Sequence, residues 1–190
     1  VAAGLLVTWL TLGMLIGGAE AYFHFVYAAS DTPMQWTLAG KNWIARFMRF
    51  NSLGYRDYDW TAADLEDKTI VFAVGDSFTE GWGIEDPADR FPDRLQSMLG
   101  EEYAVINLGK GGSSTLHQTQ AVMDYPLAKP DIILWQYLLN DIDVAAISNG
   151  YTWDSPIPMQ RPALVEESYL ANFIYWRIFR QGMFNSPQGI

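Results

Sequence analysis

The sequence predicts an α/β domain built on a parallel sheet and preceded by one transmembrane helix. Three observations predict it. The first nineteen residues, Val1 to Ala19, carry no charge. Further on, three apolar runs, at about 69–75, 103–108 and 132–137, alternate with stretches whose apolar residues recur at helical spacing. The runs are apolar nearly throughout instead of alternating, which marks strands of a parallel sheet buried on both faces.

The first run makes ~28 Å of helix at ~1.5 Å per residue, close to the ~30 Å of bilayer hydrocarbon. Glu20 ends it, and Tyr22, Phe23, Phe25 and Tyr27 follow as an interfacial aromatic cluster would. Gly13 and Gly17 have the GxxxG spacing that lets a second transmembrane helix pack closely, although glycines are common in membrane helices without such a contact. A buried soluble helix and a cleaved signal peptide are the rival readings. The chain does not begin with Met, so a basic flank before Val1 is expected. One span followed by an acidic domain suits an N-in topology. Residues 1–19 would lie in a bacterial inner membrane, with the domain on the periplasmic side. Lys41, Arg46 and Arg49 fall on the outer side of this arrangement and weigh slightly against it. The expected division is an anchor and interfacial segment over 1–29, a connector over 30–66, and the α/β domain over 67–190.

In the connector, Trp43, Ile44, Phe47 and Met48 predict a short helix over about 38–49, and Asn51-Ser52-Leu53-Gly54-Tyr55 a turn after it. The first strand follows at 69–75. Phe91, Leu95 and Leu99 share one face of a helix near 87–99, which Gly100 can end. The second strand, 103–108, leads to a second helix over 114–127. Pro130-Asp131 opens the third strand. Residues 142–165 read as a loop, and 166–181 as an aromatic helix that covers the domain or packs on a partner.

Composition narrows the function. Half of the residues are hydrophobic, enough for a core in a chain of 190. The formal charge is −10 and no basic run exists, which argues against nucleic acid and against an anionic lipid surface as partners of the folded domain. The absence of Cys excludes disulfides, thiolate metal sites and thiol catalysis. No cofactor or metal is expected. The many Trp and Tyr suit a membrane belt, a sugar-binding surface or a large core equally.

Ligands of parallel sheets sit beyond the carboxyl ends of the strands. Three segments fall there: Gly75-Asp76-Ser77, Asn107-Leu108-Gly109-Lys110-Gly111-Gly112, and Asn140-Asp141. Taken singly, Gly-Asp-Ser is a frequent turn and Asn-Asp a frequent helix cap. Their order and strand-end placement together are more specific.

These three segments resemble three of the four sequence blocks of the SGNH hydrolases, also called GDSL esterases. The resemblance covers about residues 50–141. Asn51, Gly54, Arg56 and Asp57 are also similar to a membrane-anchored bacterial subgroup. The resemblance implies a flavodoxin-like α/β/α fold and deacylation of an acyl ester, from a lipid, a thioester or an acetylated polysaccharide. It implies Ser77 as nucleophile, with the N–H groups of Ser77 and Gly112 and the side-chain amide of Asn140 as oxyanion hole. A serine hydroxyl needs a base to become nucleophilic. The tetrahedral intermediate needs donors where its oxyanion forms, each worth ~3–4 kcal/mol. Asp76 reads as a turn-stabilising acceptor and Lys110 as a solvated loop charge. Leu138 and Leu139 stand where many members have glycines, which would reshape the pocket wall.

The fourth block, an Asp-x-x-His that supplies the base, has no counterpart. His24 lies in the membrane-proximal segment, and His117 reads better as a rim histidine than as a substitute base. Loss of the base can lower turnover on the order of a millionfold. The third strand would also be an open apolar edge. The chain is therefore expected to continue past Ile190, or to receive strands and base from another chain. Two roles follow. One is a membrane-anchored extracytoplasmic esterase or acyl-transfer protein. The other is a non-catalytic accessory subunit of a membrane complex, of respiratory or photosynthetic type, with a retired hydrolase domain.

Overall fold

In the computed structural model, β1 (Thr69–Val74) lies between β2 (Tyr103–Asn107) and β3 (Ile132–Trp135), parallel to both. The structure describes residues 1–30, 37–138, 149–151 and 162–184. They fall into two compact units, one formed from 47–156 and the other from 1–46 together with 157–190.

In the sheet unit the register runs from Thr69 opposite Tyr103 to Ala73 opposite Asn107, and from Val71 opposite Ile132 to Val74 opposite Trp135. The third strand is pinned at its start by Asp131, whose N–H donates to Ile70 O while its carboxylate accepts from Ile70 N–H. Side chains alternate across β1, so the two faces build two cores. Ile70, Phe72 and Val74 join Ala104, Ile106, Leu108 and Tyr125 on one face. Val71, Ala73 and Val105 meet Phe91 and Leu95 on the other. Helix α5 (Phe91–Leu99) covers this second face, and α6 (Thr115–Asp124) leads into Tyr125 on the first. The expected three-layer α/β arrangement is present. β1 and β2 are buried along almost their whole length, whereas Ile132, Ile133, Leu134 and Trp135 of β3 are each 40–47% exposed. Among the described residues β3 is thus the open apolar edge that the sequence foretold.

In the sheet unit two helices differ from expectation, each through its caps. The helix expected over 87–99 is a 3-10 turn, Pro87–Asp89, followed by α5. Asp86 accepts from Ala88 N–H, and Pro92 in the first turn of α5 allows a fresh start after the extended residue Arg90. The helix expected over 114–127 ends at Asp124, because Pro126 drives Tyr125 into an extended conformation. Two short helices were not anticipated: α3 (Ala62–Leu65), capped by Thr61, and α4 (Ser77–Glu80).

In the helical unit α1 (Ala2–Phe25) is long and apolar enough to cross a membrane, and none of its residues is buried. Its threonines return their hydroxyls to their own helix, Thr8 to Gly4 O and Thr11 to Val7 O. That satisfies them without water, as hydrocarbon would require. The last carbonyls of α1 are met from α2 (Leu38–Phe47): Asn42 Nδ2 donates to His24 O and Tyr27 O, and Arg46 donates to Phe25 O and Val26 O. A cation there also opposes the negative end of the helix dipole.

The segment expected as one helix over 166–181 is two, α7 (Ala163–Glu167) and α8 (Tyr169–Phe184), parted at Ser168. The first free N–H groups of α8 are all accounted for. Glu20 accepts from Tyr169 N at 2.7 Å, Leu170 N at 2.9 Å and Ser168 Oγ at 2.8 Å, and Ser168 Oγ accepts from Ala171 N. Phe23 stacks on Phe173, and His24 on Tyr169, at 4.4 and 4.3 Å between ring centres. Of the aromatics after the apolar run, Phe23 and Tyr27 pack against Phe173 of α8, while Tyr22 and Phe25 are exposed.

Candidate active site

β1 delivers its chain into a turn that only glycine fits. A side chain on Gly75 would collide with Thr79 Oγ1 and come within 2.7 Å of Gln136 Oε1. Asp76 then caps α4, its carboxylate accepting Phe78 N–H at 3.0 Å. This is the turn-stabilising role its type and place suggested. Ser77 is the first residue of α4 and is half-buried. Gly81, left-handed at φ 81°, ends the turn.

β2 delivers the glycine loop to the same place. Asn107 is buried and makes three links at once. Its Nδ2 donates to Thr79 O at 2.9 Å, its Oδ1 accepts from Gly109 N, and its own N–H donates to Asp57. Gly109 is pressed so closely on the backbone of Thr79 and Glu80 that no Cβ would fit. Gly75 O accepts from Lys110 N at 3.2 Å and from Ser113 Oγ at 3.1 Å. Gly111 N–H donates to Glu80 Oε2 at 3.1 Å. A Cβ on Gly111 would stand 2.8 Å from Glu80 Oε2 and 3.8 Å from Ser77 Cβ. Gly112, at φ 72°, is exposed, with open space where a side chain would be. Ser77 and the glycine loop are therefore brought together, as the sequence implied. Asn140, the third segment, lies outside the described residues, as do Leu139 and Asp141. The end of β3 does reach the site: Gln136 Oε1 accepts from Thr79 Oγ1 at 3.1 Å.

His117 is exposed on α6 and serves its cap. Its Nδ1 accepts from Ser114 N–H at 3.4 Å and lies 3.0 Å from Ser114 Oγ. Lys110 is exposed, as a solvated loop charge would be. On its outer side the glycine loop borders a groove of about 450 Å³, with Tyr55, His117 and Asp124 among its other walls.

Of the acids and bases beneath the site, the sequence marked Arg56 and Asp57 by resemblance only, without a role, and gave no notice of Glu80 or Arg90. Glu80 is 5% exposed. Burial pushes its carboxyl above the usual range, against the pull of Gly111 N–H, Arg56, Lys110 and Arg90. Asp57 accepts from Asn107 N at 3.0 Å and Trp60 Nε1 at 2.9 Å, yet burial raises its carboxyl to about 6. Arg56, 2% exposed, donates to Gly81 O, Phe47 O and Ile84 O, and Arg90 donates to Arg56 O. Buried charge rarely announces itself in a sequence. The available signal was that Glu80 follows Ser77 by three residues, one helical turn away.

The profile of the GDSL-like lipase/acylhydrolase family matches residues 73–164, which include both Ser77 and the glycine loop. The match supports assignment of this segment to the SGNH, or GDSL-like, hydrolases. Among solved structures it is similar to AlinE4, described as an SGNH-hydrolase family esterase, at 27% identity and a TM-score of 0.35. That alignment covers 41% of this chain and 44% of the esterase, so the chain spans less than half of that relative's length. No curated protein matches. The match fits the parallel sheet and the strand-end placement of these segments. Among the described residues, the serine turn and the glycine loop meet above Glu80 and Asp57.

Proposed function

We propose that this chain is a membrane-anchored, extracytoplasmic ester hydrolase or acyl-transfer protein with Ser77 as its nucleophile. The observation that carries the reading is the meeting of Ser77 and the glycine loop at the carboxyl end of the sheet, inside a segment of hydrolase family. Ser77 Oγ would attack the acyl carbonyl. The N–H groups of Ser77 and Gly112, with the Asn140 amide, would hold the oxyanion. Hydrolysis then needs a base to take the Ser77 proton and return it to the leaving alkoxide. His117 is committed to its helix cap and His24 packs on Tyr169. The base therefore comes from outside these residues, and the open edge of β3 offers the place where further strands bring it. The unburied, internally satisfied α1 supports the anchor.

The test is hydrolysis of p-nitrophenyl acetate, and labelling by a fluorophosphonate, with the protein expressed from its intact gene. Ser77→Ala should abolish both. Equal rates in parent and variant would sink the reading. A second reading, a non-catalytic accessory subunit of a membrane complex, draws on the exposed length of α1, including Gly13 and Gly17. It predicts copurification with a defined assembly and no Ser77-dependent turnover.

A further inference from the structure

We propose that Glu80 is a positioning residue of this site: its carboxylate takes the Gly111 N–H and so sets the Lys110–Ser113 loop to aim the Gly112 N–H at the acyl carbonyl. The inference rests on the hydrolase reading above. Glu80 shares a helical turn with Ser77, and its own N–H is held by Asp76 O at 3.0 Å. Its side chain therefore carries the geometry of the nucleophile turn across to the loop. The bond from Gly111 is 3.1 Å, and it falls on the residue next to the proposed oxyanion donor. The other ties of the loop reach Gly75 O from Lys110 and Ser113, on either side of this pair. Without Glu80, Gly111 and Gly112 would be held at the ends of the turn alone.

The chemistry favours a tether over a base. Oε2 is engaged by the loop, and the cations that face the carboxylate are Arg56, Arg90 and Lys110, with Asp93 beyond them on Arg90. Burial raises this carboxyl, and those cations and the Gly111 N–H partly offset the rise. A buried acid is costly where it does nothing, and an apolar side chain would fill the space more stably. Gly111 completes the fit, since a Cβ there would stand 2.8 Å from Glu80 Oε2 and push the carboxylate off the loop.

Glu80→Gln keeps an acceptor for Gly111, while Glu80→Leu removes it. In the intact protein, kcat for p-nitrophenyl acetate should fall roughly 10²–10³-fold in Glu80→Leu, the effect of a misplaced oxyanion donor, with KM nearly unchanged. Glu80→Gln should stay within about tenfold of the parent. Hydrogen exchange of the 108–114 peptide should quicken in Glu80→Leu only, with the 69–75 peptide of β1 unchanged. Parent-like kcat and loop exchange in a folded Glu80→Leu variant would overturn the proposal. If that variant does not fold, Glu80→Ala takes its place, and parent-like loop exchange in a folded Glu80→Ala protein overturns it. The exchange readouts need no turnover. A Ser77→Ala protein as active as the parent would thus refute the hydrolase reading while leaving the tether separately tested.

Discussion

Asp57→Asn should stabilise the sheet unit at pH 7 and leave it nearly unchanged at pH 3. Asp57 joins the segment before α3 to the end of β2 through Asn107 N and Trp60 Nε1, both donors to Oδ2. Burial is the largest influence on its carboxyl and raises it; the hydrogen bonds from Asn107, Trp60 and Tyr58 pull it back, and Asp93 adds to the rise. The result is about 6 in the folded protein against an ordinary 3.8. Because the folded value is raised, the folded state binds the proton more tightly. The stability from this group is complete below the ordinary value and is lost as pH rises through about 6. At ~1.4 kcal/mol per unit the shift from 3.8 to about 6 corresponds to about 3 kcal/mol at neutral pH. Asparagine keeps an oxygen for the same two donors and sheds the charge. The variant should therefore gain about 2–3 kcal/mol at pH 7. Urea unfolding followed by tryptophan fluorescence, at half-unit steps from pH 3 to 8, measures it. The parent midpoint should decline between pH 4 and 7 relative to that of the variant. Glu80 titrates in the same direction but in both proteins, so the difference between the two curves isolates Asp57. Parallel curves, or a variant less stable than the parent at pH 7, would show that the buried acid is not strained in this way.

Two further substitutions probe the two units. Arg56→Met withdraws the guanidinium from Gly81 O, Phe47 O and Ile84 O, and should destabilise the sheet unit by about 3 kcal/mol, seen as a lower urea midpoint with unchanged slope. Glu20→Ala removes the cap from Tyr169 and Leu170 N–H; at about 1–2 kcal/mol for a lost cap, exchange of the 168–175 peptide should quicken roughly five- to thirty-fold while α2 stays protected.

The sheet and the serine turn were legible because they are local. Ile70 to Val74 and Ala104 to Ile106 form runs whose burial follows from composition alone, and Gly75-Asp76-Ser77 encodes a turn that only its glycine can make. Legibility stopped wherever a distant residue decided the outcome. The break at Ser168 belongs to Glu20, 148 positions away, and the break at Arg90 goes with a guanidinium drawn in to Arg56 O, 34 positions away. Glu80 was passed over, and Asp57 noted by resemblance without a role, for the same reason. An acid near a strand end is ordinary until the fold takes its water away.

Those two acids bear on the choice between enzyme and accessory subunit. Glu80 is buried and Asp57 half-buried, both carboxyls are raised by desolvation, and both are tied to the loop that carries Gly112, Asp57 through Asn107 and Glu80 through Gly111. A domain kept only as a docking platform gains nothing from them, since their neutral counterparts would hold the same hydrogen bonds at lower desolvation cost. Local rules tend to be broken where function requires it, and strained ionisable groups gather at working sites. Here the departures cluster under Ser77 and not across the rest of the sheet unit, where Phe72, Val74, Ala104 and Ile106 form an apolar core. The distribution of strain therefore supports a site still tuned for chemistry, in need of its base, over a hydrolase fold that has retired.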